Sequence, residues 1–469
     1  MSQSNLARKT LGANAAFSTF CGLAMVFGAS TVVNTIFVSQ TPWQTPLIIF
    51  LGFALVFFAA NLILLATDPQ LVPKHIYPVI IADIGWVVAS IFILIVWGGI
   101  FSFFGKSIII AISIIILLFA YGQHIGGKHV KEVEFHAKTP SQYLRQAGVV
   151  FTNIGFVVSV IIGGFGIFTA ANQTSARPLG DMYKIGDQSL HMVCKGIGSP
   201  TLVVDAGVSD WSLHWALIQD EVAKTTRVCS YDRAGLGWSG PIKAPLTPSS
   251  MVEDLHELLQ QSGEVENLVL VGHSFGGYMA RLYQNQYPEN VLGLALVEAS
   301  HEDQWEVMPE AVSQMAQEVV GMMKMAKAIS YTGGLQYMDI PITDPLPTPE
   351  HQEILLDAMR TTQFYDSTIQ HFEAVPAFVE AVRETGSLDK LPLLVISAGK
   401  SAQSYCGLQF GIDVPCTQTQ VSWDELQFDL AKLSSNSQHL ISSDARHYIQ
   451  LDDPEFVISS LVNFALRLR

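Results

Sequence analysis

Five apolar stretches crowd the first 170 residues, at about 14–38, 46–66, 78–101, 107–122 and 148–170. Nothing else in the chain limits its folding as strongly. Most of them reach the ~20 residues a helix needs to cross a hydrocarbon core. In lipid the backbone finds no water to bond, so such a segment must satisfy its own N–H and C=O groups as helix. The fourth, Ser107–Gly122, is short but almost wholly apolar. The first is too long and too weakly basic at its start for a cleaved signal peptide, and four more follow it. We therefore expect a membrane domain over residues 1–175 with about five spans.

Lysine and arginine set the expected orientation. Arg8 and Lys9 precede the first span, Lys74 separates the second from the third, and Lys128, Lys131, Lys138 and Arg145 separate the fourth from the fifth. The loop from Ser39 to Thr45 has no basic residue, and the third-to-fourth connection has only Lys106. This alternation puts the N-terminus in the cytoplasm. Five spans then carry everything after residue 175 outside; an even number would reverse that. Asp83 is the acid inside the third stretch, a position that is often functional in membranes.

From about 180 onward the pattern changes to short β-type runs alternating with helical ones. Strands are expected at Asp181–Ile185, Ser189–Cys194, Thr201–Asp205, Arg227–Tyr231, Leu268–Val271, Gly293–Val297, Leu393–Ser397 and Gln438–Ile441. Helices are expected at Ser212–Ala223, Pro248–Gln261 and Phe275–Gln286. Such alternation predicts a mainly parallel sheet covered by helices on both faces. Residues 300–390 break the rhythm with helical patterns alone. They are rich in methionine (Met308, Met315, Met322, Met323, Met325, Met338 and Met359). A helical insertion there would cover the C-terminal edge of the sheet. Its flexible thioethers would either line an adaptable apolar cavity or pack one cap helix on another.

The chemistry starts at Asn267–Gly277, where a Val/Leu-rich run ends in Gly272-His273-Ser274-Phe275-Gly276 and leads into a helix. Strand, Gly-x-Ser-x-Gly, helix is the setting of a nucleophile elbow, in which a tight turn pushes the serine hydroxyl into a cleft. The Phe275 N–H, on the first turn of the helix, would face a developing oxyanion. A second donor is expected from the loop after the third strand, where Gly207 lets the backbone approach; the Val208 N–H is the candidate. A serine nucleophile needs a base. His447, just past the last expected strand, is the best placed, with His273, His301 and His439 as rivals.

These motifs resemble those of the α/β-hydrolase superfamily, in its serine esterase and lipase-like branch. Gly-His-Ser-Phe-Gly-Gly is similar to that family's elbow. Tyr231-Asp232-Arg233-Ala234-Gly235-Leu236-Gly237-Trp238-Ser239 is similar to its turn after the fourth strand, and Arg446-His447-Tyr448 to its histidine loop. The resemblance implies an α/β-hydrolase fold over 176–469, with an eight-stranded, mostly parallel sheet and a helical cap at about 300–390. It also implies a Ser274–His447–acid triad. The usual acid position after the seventh strand is occupied by alanine (Ala402). A variant of the family places the acid after the sixth strand, which here ends at Glu298. Asp303 and Asp413 are the alternatives. In such a fold Cys194 and Cys229 sit on neighbouring strands and would form a disulfide, while Cys406 and Cys416 would close a surface loop. Four unpaired buried cysteines remain the other reading.

The net charge of −15 and the pI near 5.2 give no basic footprint for nucleic acid. No metal-ligand spacing or nucleotide loop appears, so no cofactor is expected. The expectation is a membrane-anchored serine hydrolase that cleaves a small hydrophobic ester through an acyl-enzyme, with the bilayer as its other partner. The alternatives are a catalytically silent ligand-binding or sensory module, an amidase or peptidase, and a transporter or channel with an appended hydrolase.

Overall fold

The computed structural model of the chain describes residues 3–38, 43–68, 71–128, 140–171, 176–340, 342, 346–406 and 412–469. Lys131 and Lys138, counted above among the loop cations, lie outside them. The chain divides into two compact units, Met1–Gln173 with Ile329–Tyr337, and Thr174–Ala328 with Met338–Arg469.

The first unit is helical. Its helices are α1 (Gln3–Phe27), α2 (Ala29–Ile36), α3 (Gln44–Thr67), α4 (Val72–Trp97), α5 (Phe103–Gly127) and α6 (Pro140–Ala171). Among the described residues, five segments are long and apolar enough to cross a membrane: Asn5–Phe27, Gln44–Thr67, Val72–Ile100, Phe103–Gly127 and Tyr143–Gly166. The first starts and ends earlier than its hydropathy suggests. Polar residues such as Arg8 and Lys9 continue the helix backward, and the helix breaks at Gly28 before α2. The fourth is longer than 107–122, because the helix runs on through Gln123 and His124. Helix α1 packs on α3 and α5, α3 on α6, and α4 on α5. Where α1 crosses α3, a Cβ on Gly22 or on Gly52 would lie 2.8 Å from the carbonyl oxygen of the other. Only glycine permits that approach. Most of the exposed large apolar side chains belong to this bundle, among them Ile81, Ile95, Phe103, Leu118 and Ile161.

The second unit is built on eight strands: β1 (Asp181–Ile185), β2 (Gln188–Lys195), β3 (Thr201–Asp205), β4 (Arg227–Asp232), β5 (Leu268–His273), β6 (Val291–Val297), β7 (Leu393–Ala398) and β8 (Ser437–Ser442). They form one sheet in the order β1-β2-β4-β3-β5-β6-β7-β8. Strand β2 is antiparallel to β1 and β4, and the remaining pairs are parallel. The central strands alternate between two cores. Val203, Leu270, Leu296 and Val395 face the one containing Leu255, Tyr283 and Phe378. Val204, Val271, Val297 and Ile396 face the one containing Trp215, Val457 and Phe464. Burial on both faces explains why these strands are continuous apolar runs.

The covering helices are α7 (Ala216–Val222), α8 (Pro248–Ser262) and α9 (Gly276–Gln286). Between β6 and β7, the described residues add only helices: α10 (Gln304–Val307), α11 (Glu310–Ser330), α12 (Pro349–Met359) and α13 (Thr362–Arg383), besides a short 3₁₀ turn. The chain closes with α14 (Gln403–Cys406), α15 (Cys416–Ala431), α16 (Ile449–Asp452) and α17 (Pro454–Arg467). The cap methionines divide in two. Met308 and Met315 are buried against Trp423 and Leu426, whereas Met322, Met325 and Met338 are exposed. Cys194 and Cys229 are directly opposite each other in β2 and β4, with sulfurs 2.06 Å apart. Those of Cys406 and Cys416 are 2.16 Å apart, and Cys21 on α1 is free.

Candidate active site

The parallel strands bring their C-terminal ends to one edge of the sheet, and Ser274, Glu298 and His447 each follow the end of one of them. Strand β5 runs into α9 through Ser274, whose φ of +51° is left-handed. That conformation costs a non-glycine residue roughly 1–2 kcal/mol, so its surroundings must hold it there. Three backbone bonds do so. The Ser274 N–H donates to the Val297 carbonyl (3.3 Å), and the Ser274 carbonyl accepts from the N–H groups of Gly277 (3.0 Å) and Ser300 (2.9 Å). The flanking glycines are steric necessities: a Cβ on Gly272 would strike the carbonyl of Gly276, and one on Gly276 would strike that of Asp205.

Glu298 follows β6 and is also left-handed (φ +48°) and fully buried. Burying a carboxylate is costly unless donors replace its water. Here there are three: the Ala398 N–H at 2.7 Å, the Trp423 indole N–H at 2.6 Å and the Ser401 hydroxyl. The Nδ1 atom of His447 lies 3.6 Å from Glu298 Oε1, and the Trp423 ring stands edge-on to the His447 imidazole. The end of β7 and the turn after it, the turn that holds Ala402, thus contribute an N–H and a hydroxyl to Glu298. The alternative acids are engaged otherwise: Asp303 pairs with Arg383 at 2.8 Å, and Asp413 is exposed. Of the rival bases, His301 approaches Asp429 (3.3 Å) and His439 bonds to Ser397 (2.6 Å). His447 is also held through its backbone: its N–H donates to the Ser404 hydroxyl at 3.2 Å and its carbonyl accepts from His273.

The expected oxyanion donors flank the elbow. Neither the Phe275 N–H nor the Val208 N–H enters a backbone hydrogen bond among the described residues. The loop bearing Val208 is braced from below by Arg233. Its guanidinium donates to Asp205 Oδ1 (2.5 Å), to the Ala206 carbonyl (2.8 Å) and to the Gly207 carbonyl, and lies 5.0 Å from the centre of the Phe275 ring. Asp232 accepts from the N–H groups of Ser212 and Trp238, both at 2.9 Å. The turn after β4 is therefore a brace.

A second layer ties the Val208 loop to the histidine loop. His273 Nε2 lies 3.0 Å from the His447 carbonyl oxygen, which can only accept, so the proton is on Nε2. Burial, aided by the neighbouring His447, pushes the His273 imidazole down to about 3. The Tyr448 hydroxyl donates to Asp210 at 3.2 Å, and His214 Nε2 is 3.5 Å from the same carboxylate. Sequence reading did not single out Ser401, Trp423, Asp210 or Tyr448 for these contacts. Each acts on a residue about 100 or more positions away. Trp423, an indole on an otherwise largely polar helix, is the one of the four that left a local trace.

Comparisons with known proteins bear on the fold. Residues 194–326 match the family profile described as alpha/beta hydrolase fold. An uncharacterized protein of Bacillus subtilis, YqjL, is 21% identical over 263 residues, 56% of this chain and 82% of its own length. An AB hydrolase superfamily protein of Gibberella zeae is 32% identical over 107 residues, 22% of this chain; the chain spans about a third (33%) of that relative's length. Among solved structures, a thermophilic esterase from Thermogutta terrifontis is similar with a TM-score of 0.44 and 21% identity, over 62% of this chain and 99% of the esterase.

Proposed function

We propose that this chain, an α/β-hydrolase fold preceded by about five apolar helices, is a membrane-anchored serine hydrolase acting on a hydrophobic carboxylic ester. The observation that carries this reading is the strained Ser274 held at the turn beside a buried Glu298 that faces His447. Ser274 is the nucleophile, His447 the base, and Glu298 the acid that orients the imidazole and offsets its charge once protonated. His447 takes the Ser274 proton as the hydroxyl oxygen attacks the ester carbonyl. The tetrahedral oxyanion accepts from the N–H groups of Phe275 and Val208. The imidazolium then protonates the leaving alcohol, and water repeats the sequence on the acyl-enzyme. Preference for a hydrophobic ester rests on the methionine-rich insertion between β6 and β7 and on attachment to the membrane.

Two observations support an N-terminus in the cytoplasm and a hydrolase unit outside. Arg8 donates to the Ala66 carbonyl (2.8 Å) and Arg145 pairs with Asp68 (3.3 Å), which gathers basic residues at one end of the bundle. Both cysteine pairs of the second unit are at bonding distance, as suits an oxidising compartment. The test is hydrolysis of a p-nitrophenyl ester series by the full-length protein in detergent. We expect turnover that rises with acyl length and is lost in Ser274→Ala. Failure of the wild type to turn over any ester, or turnover that survives in the variant, overturns the proposal.

A further inference from the structure

The membrane unit buries a polar cluster that the hydrolase chemistry does not use. Asp83 on α4, Asn14 and Ser18 on α1, and Gln123 on α5 are each 5% exposed or less. The Asn14 amide donates to Asp83 Oδ2 (2.9 Å), and the Ser18 hydroxyl donates to Asn14 Oδ1 (3.1 Å). No basic side chain forms an ion pair with Asp83 among the described residues, although Asp68 at a helix end has one in Arg145. Gln123 turns toward Asp83, yet neither its amide nitrogen nor its oxygen has a hydrogen-bond partner of normal geometry. A network that served packing alone would pair all its members in good geometry, and this one leaves its most buried member without such a bond.

We propose that Asn14, Ser18, Asp83 and Gln123 form a binding site for one alkali-metal cation of sodium size within the membrane unit. The donors are hard oxygens: the Asp83 carboxylate, the Asn14 and Gln123 carbonyls and the Ser18 hydroxyl. Such oxygens suit hard cations and leave soft metals without a thiolate or imidazole. Charge decides the valence. One carboxylate is neutralised by one monovalent ion, whereas a divalent ion would leave a net charge among apolar helices, where it is expensive. A proton would also neutralise Asp83, but it engages a single acceptor oxygen. A cation accounts for all four side chains, because the amide of Gln123 can turn its oxygen inward.

The test is equilibrium binding of radioactive sodium to the full-length protein in detergent, with choline chloride holding the ionic strength constant. We expect saturable binding that unlabelled sodium displaces and choline does not. It should be lost in the near-isosteric Asp83→Asn and weakened in Ser18→Ala, which keeps the helix contacts. Size-exclusion elution and helical circular dichroism identify any variant that fails to fold. Absence of saturable binding in the wild type, as for a site that takes only protons, overturns the proposal. So does binding that persists in folded Asp83→Asn.

Discussion

Among the buried polar side chains of the apolar helices, Asn14 bonds to Asp83 and Ser18, and Asn61 bonds to Thr152 and to the exposed Asn153. In the hydrolase-fold unit such side chains are many, and a set of them converges on one sheet edge. Asp205, Asp210, Asp232 and Glu298 are all buried acids there, and each is met by donors from other elements. The bundle can expose apolar side chains outward and spends its polar groups between helices. The sheet has apolar cores on both faces, so its polar groups can gather only where the strands end. That is where a reaction can be carried out. The contrast separates polar groups buried between apolar helices from polar groups gathered around the Ser274 turn.

Replacing Glu298 should break the second half of this comparison most severely. Glu298→Gln puts an amide among three donors and removes the charge facing His447, so kcat for ester hydrolysis should fall about a hundred- to ten-thousandfold. Asp303→Asn and Asp413→Asn should remain near wild type in the same steady-state assay. Acid should come next. The folded pKa of His273 and of His371 is depressed to about 3 from 6.5. The unfolded chain therefore binds more protons between those values. Stability contributed by keeping these rings neutral is complete above about pH 6.5 and is lost as pH falls toward 3, at about 1.4 kcal/mol per pH unit for each histidine. Urea titrations from pH 7 to 4 followed by tryptophan fluorescence measure this slope, and His371→Gln should lessen it.

The membrane unit gives the converse test. Gly52→Val should force α1 from α3 and cost about 1–3 kcal/mol through overpacking, seen as a lower melting midpoint of the helical signal in detergent. Ester turnover below that midpoint should stay close to wild type. The smallest effect expected is that of Tyr448→Phe. Losing the hydroxyl bond to Asp210 removes about 1 kcal/mol of positioning, which corresponds to roughly a fivefold drop in kcat with little change in KM.

These regions also differed in how much the sequence disclosed. The central strands were legible because burial on both faces writes them as apolar runs between turn residues, and the observed bounds of all eight strands differ from the expected ones by two residues at most. The membrane helices were legible in number but less so in extent. Hydropathy registers composition, whereas a helix continues by hydrogen bonding through Arg8 near the start of α1 and Gln123 near the end of α5. In the site, Ser274 and His447 stood out by motif order, and Glu298 by its place after β6. The support around them did not. Ser401 and Trp423 reach Glu298 from 103 and 125 residues away, and contacts of that range arise from topology, which no local pattern records.

The central claim, that Ser274 is an activated nucleophile, is tested most directly by labelling the full-length protein with a fluorophosphonate probe. The account predicts stoichiometric labelling of the wild type at Ser274, none in Ser274→Ala and severe slowing in His447→Ala. A wild-type protein that stays unlabelled, or a Ser274→Ala variant that labels as fast as the wild type, would contradict it.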